Sequence, residues 1–154
     1  MEIERKFLVH KLPENLNQFP FHVLEQAYLC TEPVVRVRRS DDEYYMTYKS
    51  KGFLSREEYN LPLTKDSFEH LKGKADGNVI QKTRYLLPVR GTNNENLTIE
   101  LDVFDKPFEG LYLAEVEFDS EEQANAFVPP VWFGEDVTFS TEYHNSTLSR
   151  KQMD

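Results

Sequence analysis

Along most of this chain apolar and polar residues alternate with a period of two. Bounded by Gly, Pro, Asn and Asp, the alternation predicts about eight strands, roughly 1–9, 23–30, 34–40, 43–50, 55–63, 79–88, 96–104 and 110–118. Ser40-Asp41-Asp42, Lys51-Gly52 and the stretch from Gly91 to Glu95 carry turn residues, so many neighbouring strands are expected to pair as antiparallel hairpins. Helices are expected in the gaps. Residues 64–74 open on a Thr cap and carry Phe68 and Leu71, and residues 120–128 begin Ser-Glu-Glu ahead of Ala124 and Phe127. In the aromatic and polar tail, residues 143–152 are expected to form a helix that plugs or caps the sheet.

Side chains two apart in a strand point the same way, so residue parity sorts the chain into two faces. One face collects Glu2, Glu4 and Lys6; Arg36 and Arg38; Lys49; Arg56 and Glu58; Lys82 and Arg84; Glu100 and Asp102; Glu115 and Glu117. The other holds Val35, Val37, Tyr44, Met46, Tyr48, Tyr59, Leu61, Leu63, Ile99, Leu101, Val103, Val116 and Phe118, and is expected to be packed. A sheet with one solvated face would account for any single strand. Taken together, Glu-x-Glu, Arg-x-Arg, Lys-x-Arg and Glu-x-Asp place like charges side by side, where they repel. A ligand that neutralises them makes sense of the pattern: divalent cations for the acids and a polyanion for the bases. Closing about eight strands into a barrel would gather these groups around a polar interior.

The length of 154 residues fits one domain, and 39% hydrophobic and 29% charged residues mark a globular chain. Eight Tyr and eleven Phe favour strands. A net charge of −9 opposes general nucleic-acid binding, so an anionic ligand must be met by local positive charge. There is no apolar run long enough to span a bilayer and no signal-like start, so a soluble cytoplasmic protein without membrane partners is expected, monomeric or homodimeric. The lone Cys30 excludes an internal disulfide and a cysteine-based zinc site.

The acids have no nearby His or Cys partner, which favours Mg²⁺ or Mn²⁺ over zinc. His10, His22, His70 and His144 stand singly outside the pattern and are assigned no role. Arg36, Arg38, Arg56 and Arg84 each offer a planar fork for phosphate oxygens, and Lys6, Lys49 and Lys82 offer compact charges, a combination suited to a linear polyphosphate. No Gly-x-x-x-x-Gly-Lys-Ser/Thr loop, Gly-x-Gly-x-x-Gly turn or Gly-x-Ser-x-Gly elbow occurs, so side chains must hold the phosphate.

Glu2-Ile3-Glu4-Arg5-Lys6 resembles the Glu-x-Glu-x-Lys signature of the CYTH superfamily, the triphosphate tunnel metalloenzymes. Arg36-Val37-Arg38, Thr47-Tyr48-Lys49, Lys82-Thr83-Arg84-Tyr85, Glu100-Leu101-Asp102 and Ala114-Glu115-Val116-Glu117-Phe118 are similar to its later strand motifs in the same order. The opening strand and the segment from Pro129 to Thr138 look most like the small bacterial members. The resemblance implies a mainly β (α+β) fold: a closed eight-stranded antiparallel barrel forming a tunnel, with a few peripheral helices and a C-terminal helix, as a single domain over 1–154. It implies metal binding by Glu2, Glu4, Glu115 and Glu117, with Asp102 and Glu100 as further candidates. Phosphate binding is implied for Lys6, Arg36, Arg38, Lys49, Lys82 and Arg84. Arg56 and Glu58 also lie inward, either touching ligand or only each other. The groups expected to carry the chemistry are Glu2, Glu4, Lys6, Lys82 and Tyr28, the last orienting phosphate or water unless it only packs. The expected activity is metal-dependent hydrolysis of a triphosphate, inorganic tripolyphosphate first. A class IV adenylate cyclase, a thiamine triphosphatase and a non-catalytic polyphosphate or nucleotide sensor are the alternatives.

Overall fold

The computed structural model describes residues 1–152. The expected domain bounds, 1–154, reach Met153 and Asp154, which lie outside the described residues. The strands are β1 (Glu2–Leu8), β2 (Phe21–Thr31), β3 (Val34–Ser40), β4 (Glu43–Lys49), β5 (Ser55–Arg56), β6 (Glu58–Leu63), β7 (Asp76–Arg90), β8 (Asn96–Phe104) and β9 (Tyr112–Glu117). They form one sheet in the order β5-β1-β9-β8-β7-β2-β3-β4-β6, antiparallel throughout.

The two ends of this sheet, β5 and β6, are separated in sequence by Glu57 alone. The run expected over 55–63 is therefore divided. Its first residues pair with β1 (Glu2 with Arg56, Ile3 with Ser55), and the remainder pairs with β4 from Lys49–Glu58 to Tyr44–Leu63. Ser50 holds the division in place, since its hydroxyl accepts the Glu57 N–H at 2.8 Å and its carbonyl accepts Arg56 Nε at 3.1 Å. Eight runs of chain thus give nine strands and a nearly closed barrel.

Past Ile3, β1 lacks β5 as a neighbour. Residues 134–138 run along that edge instead: Leu8 N–H donates to Glu135 O, Val137 N–H to Lys6 O, Gly134 N–H to Leu8 O, and Lys6 N–H to Thr138 Oγ1. Arg5, pointing outward, fastens the same segment. Its guanidinium donates to the Ala124 and Phe127 carbonyls and to Asp136 Oδ2 at 2.8 Å, and lies 4.9 Å from the Phe7 ring centre.

Helix α1 (Lys65–Lys72) is capped by Thr64, whose hydroxyl accepts the Ser67 N–H, and packs Phe68 against Ala27 and Val37 on the outer face. Helix α2 (Glu121–Ala126) is capped likewise by Ser120 and covers a second outer core of Phe7, Ile99, Leu101, Val116 and Phe118. Helix α3 (Asn145–Arg150) is shorter than the expected 143–152 and seals one end of the barrel with Leu148, against Tyr28, Val34, Ile80, Phe104 and Leu113. Among the described residues, no helix is long and apolar enough to cross a membrane.

One packing expectation changes. Tyr48, Tyr59 and Leu61 are 38%, 61% and 60% exposed, because α1 reaches Tyr44, Met46 and Leu63 but leaves the far end of the β4–β6 pair uncovered.

Candidate active site in the barrel interior

Strand order sorts the inward charges by sign. β1, β9 and β8 are neighbours and supply Glu2, Glu4, Glu115, Glu117, Glu100 and Asp102, with Lys6 among them. β7, β3 and β4 supply Lys82, Arg84, Arg36, Arg38 and Lys49. Between β7 and β3, β2 inserts uncharged Leu24, Gln26 and Tyr28. Glu4 stands directly across from Glu117, and Glu100 directly across from Glu115. The acids form one wall and the bases most of the other.

These walls enclose a cavity of about 220 Å³. Of the expected site residues, Glu2, Glu4, Lys6, Tyr28, Arg36, Arg38, Lys49, Arg56, Glu58, Arg84, Glu100, Glu115 and Glu117 line it. Lys82 and Asp102 do not. Lys82 Nζ is 2.6 Å from Asp102 Oδ2 and 3.2 Å from Asn145 Oδ1, while Arg84 grips the same carboxylate at 2.7 and 2.9 Å. Both oxygens of Asp102 are thereby engaged, and neither residue is more than 1% exposed. Asp102 therefore acts as an anchor for two cations in this geometry, and Lys82 is held behind the wall. Arg56 approaches Ser50 through its Nε, and Glu58 lies 3.5 Å from Lys49 Nζ, so the two are not partners of each other.

Burial, reinforced by the Glu115 and Glu2 carboxylates, pushes the Glu4 carboxyl up to about 8 despite Lys49 and Lys6. Burial also pushes Glu2 up to about 7 against the pull of Lys49, whose Nζ is 3.0 Å away. Glu115 goes the other way: burial would raise it, but Lys6, Arg84 and Lys82 hold it well below the usual carboxylate range. Burial drives Lys82 down to about 7, because Asp102 offsets the desolvation only in part and Arg84 and Arg38 repel the charge. Burial together with Lys6 and Arg56 lowers His144 to about 4, so this imidazole meets the cavity neutral at pH 7.

Glu2, Glu4, Glu115 and Glu117 line one cavity, and a hard dication would suit these carboxylate oxygens. The donor chemistry fits Mg²⁺ or Mn²⁺. Among the described residues, however, no three His, Cys, Asp or Glu side chains are assembled as a ligating cluster. The acids point instead at bases: Lys49 at Glu2, Lys6 at Glu115 at 3.5 Å, Arg84 at Glu100 at 3.2 Å.

Tyr45, His144, Asn145 and Ser146 also line the cavity and were not singled out from the sequence. Tyr45 shares the parity of Lys49 and was accessible to the same argument. The α3 residues carry no alternation, and the helix lies close against β7 at Gly77, where φ is +77° and a Cβ would strike the Ser149 carbonyl.

A protein from Nitrosomonas europaea named inorganic triphosphatase is 43% identical over 152 residues, 96% of this chain and 96% of that protein. One of the same name from Acetivibrio thermocellus is 33% identical over 151 residues, 96% of this chain and 92% of its own length. A crystal structure of an inorganic triphosphatase superposes with a TM-score of 0.71 at 38% identity, covering 99% of this chain and 96% of the other. The CYTH domain model matches residues 1–150, and the chain belongs to the CYTH domain family.

Proposed function

We propose that the chain, as a single domain, is a divalent-metal-dependent hydrolase that cleaves the terminal phosphoanhydride bond of a triphosphate, inorganic tripolyphosphate yielding pyrophosphate and phosphate. The observation that carries this reading is the segregation of acids on β1, β9 and β8 from bases on β7, β3 and β4 around one cavity. A bare polyanion suits the basic wall, and a dication suits the acidic one. The name inorganic triphosphatase, borne by relatives 43% and 33% identical, supports the same activity.

Arg36 and Arg38 grip phosphate oxygens with their forks, and Arg84, whose Nε, Nη1 and Nη2 donate to Asp102 and Glu100, adds its charge with Lys6, Lys49 and Arg56. Glu2, Glu4, Glu115 and Glu117 would hold Mg²⁺ or Mn²⁺. When bound, the dication polarises phosphoryl oxygen and acidifies water. The protein's own contribution is to fix the terminal phosphoryl group in line for attack within a preorganised field. Glu100, on the cavity wall, and Asp102, behind it, orient Arg84, and Tyr28, beside Arg36, orients phosphate or water.

A second reading, a triphosphate ester such as thiamine triphosphate or ATP, draws on one observation. A cavity of about 330 Å³ shares Val34, Lys49, Arg56, His144 and Ser146 with the tunnel and adds Phe53, whose ring centre is 5.8 Å from that of His144. Such a surface suits an organic group beside its phosphates.

Release of phosphate and pyrophosphate from tripolyphosphate, ATP and thiamine triphosphate, each with Mg²⁺, with Mn²⁺ and with chelator, tests both. Fast metal-dependent release from tripolyphosphate is expected. Faster release from an ester favours the second reading, cyclic AMP from ATP indicates a cyclase, and tight binding without turnover indicates a sensor.

A further inference from the structure

Gln26 is fully buried on the inward side of β2, directly across from Arg38 on β3. Its Oε1 accepts from Arg38 Nε at 2.8 Å, while its Nε2 is one of four buried side-chain atoms among the described residues that have no hydrogen-bond partner. An arginine only donates, so the amide oxygen must face it and the amide NH₂ is left over. An unpaired buried donor is costly, and a leucine or methionine would fill the same volume without that cost. Something other than packing accounts for glutamine here.

We infer that Gln26 is a positioning residue for Arg38, setting the guanidinium for phosphate without neutralising it. This rests on the triphosphatase reading above. With Nε engaged by Gln26, the Nη groups are the part of Arg38 left to take phosphate, and Tyr45, directly across on β4, is the other side chain against this guanidinium. Arg38 lines the cavity, and Arg36 and Arg84 both repel it, so an unheld side chain would turn away from them. A carboxylate at position 26 would also hold Nε but would cancel the positive charge meant for the ligand. A neutral acceptor orients Arg38 and leaves its charge available.

The test compares wild type, Gln26→Met, Gln26→Glu, Arg38→Ala and the Gln26→Met/Arg38→Ala double variant. KM and kcat are measured for tripolyphosphate with Mg²⁺, tripolyphosphate affinity by calorimetry in chelator, and folding by thermal melting. Gln26→Met, which removes the acceptor at nearly constant volume, is expected to raise KM and weaken affinity about tenfold or more with folding intact. Gln26→Glu keeps the acceptor and is expected to retain more kcat than Gln26→Met. In the Arg38→Ala background Gln26→Met should have no further effect, which a merely structural role would not produce. Gln26→Met within twofold of wild type, or an equal loss with and without Arg38, overturns the inference. Wild type that neither binds nor cleaves tripolyphosphate overturns the triphosphatase reading itself, and this inference with it.

Discussion

Lys82 Nζ and Asp102 Oδ2 are 2.6 Å apart and sealed from solvent, and Arg84 holds the same carboxylate from its other side. One anion therefore stabilises two buried cations. Removing one partner of a buried ion pair leaves the other charge stranded, at a cost of about 3–5 kcal/mol. Asp102→Asn should accordingly lower the melting temperature by about 10 °C, at roughly 2–4 °C per kcal/mol for a chain of this size, equally with Mg²⁺ and with chelator. A variant that melts like wild type but loses its response to Mg²⁺ would make Asp102 a metal ligand after all.

Glu4 and Glu117 face each other across the β1–β9 ladder on the cavity wall. Glu4→Gln or Glu117→Gln should cut metal-dependent turnover by about 10²–10³, the usual scale for losing one preorganised electrostatic group, with the far-ultraviolet spectrum unchanged. Near-wild-type rates in both variants would refute the ligand assignments.

A pH dependence follows from Glu4. Its carboxyl titrates at about 8 in the folded chain against an ordinary 4.5, so between those values the folded state keeps a proton that the unfolded state has released. Stability from this group is present below about 4.5 and is lost as pH rises towards 8. In chelator, the melting temperature of Glu4→Gln minus that of wild type should grow by about 10 °C between pH 5 and pH 8, from about 3–4 kcal/mol of linkage on the same roughly 2–4 °C per kcal/mol scale. A difference that stays flat across that range would show that Glu4 is not held protonated.

Arg5 sits within the opening signature yet points away from the cavity, donating to Ala124, Phe127 and Asp136. Arg5→Met should destabilise the fold by about 3 kcal/mol or more, chiefly from the two part-buried bonds to carbonyls, worth roughly 1.5–3 kcal/mol each, while leaving the KM for tripolyphosphate within about twofold of wild type at low temperature. A large KM change with unaltered melting would place Arg5 in ligand binding instead.

Gly77 takes φ +77°, and a Cβ there would strike the Ser149 carbonyl. Gly77→Ala should displace α3, cost about 1–3 kcal/mol and raise KM, because Asn145 and Ser146 enter the cavity from that helix. Unchanged melting and kinetics would show that α3 sits loosely against β7.

The strands were legible because a half-buried sheet imposes a period of two, and that period fails only where tertiary contacts take over. Asp76-Gly77-Asn78 reads as a turn but is drawn into β7 by pairing with β2 and by α3 resting on it. Residues 134–138 show no alternation and yet run along β1, held largely by backbone hydrogen bonds that any sequence can make. In the site, parity found the charged side chains but could not order the strands, so the separation of acids from bases was invisible. That separation depends on β1 lying beside β9 and β2 beside β7, contacts far apart in the chain. Gln26 was missed because an uncharged residue between Leu24 and Tyr28 leaves no mark on a search for charge.

The barrel is completed at Glu57, where one end of the sheet continues into the other through a single residue, and β5 adds just the pairings Glu2–Arg56 and Ile3–Ser55 to β1. Its circumference is thus maintained there by covalent connectivity more than by a ladder of hydrogen bonds. Scission of the backbone at Glu57 would leave the other strand pairings intact and still turn a closed barrel into an open trough.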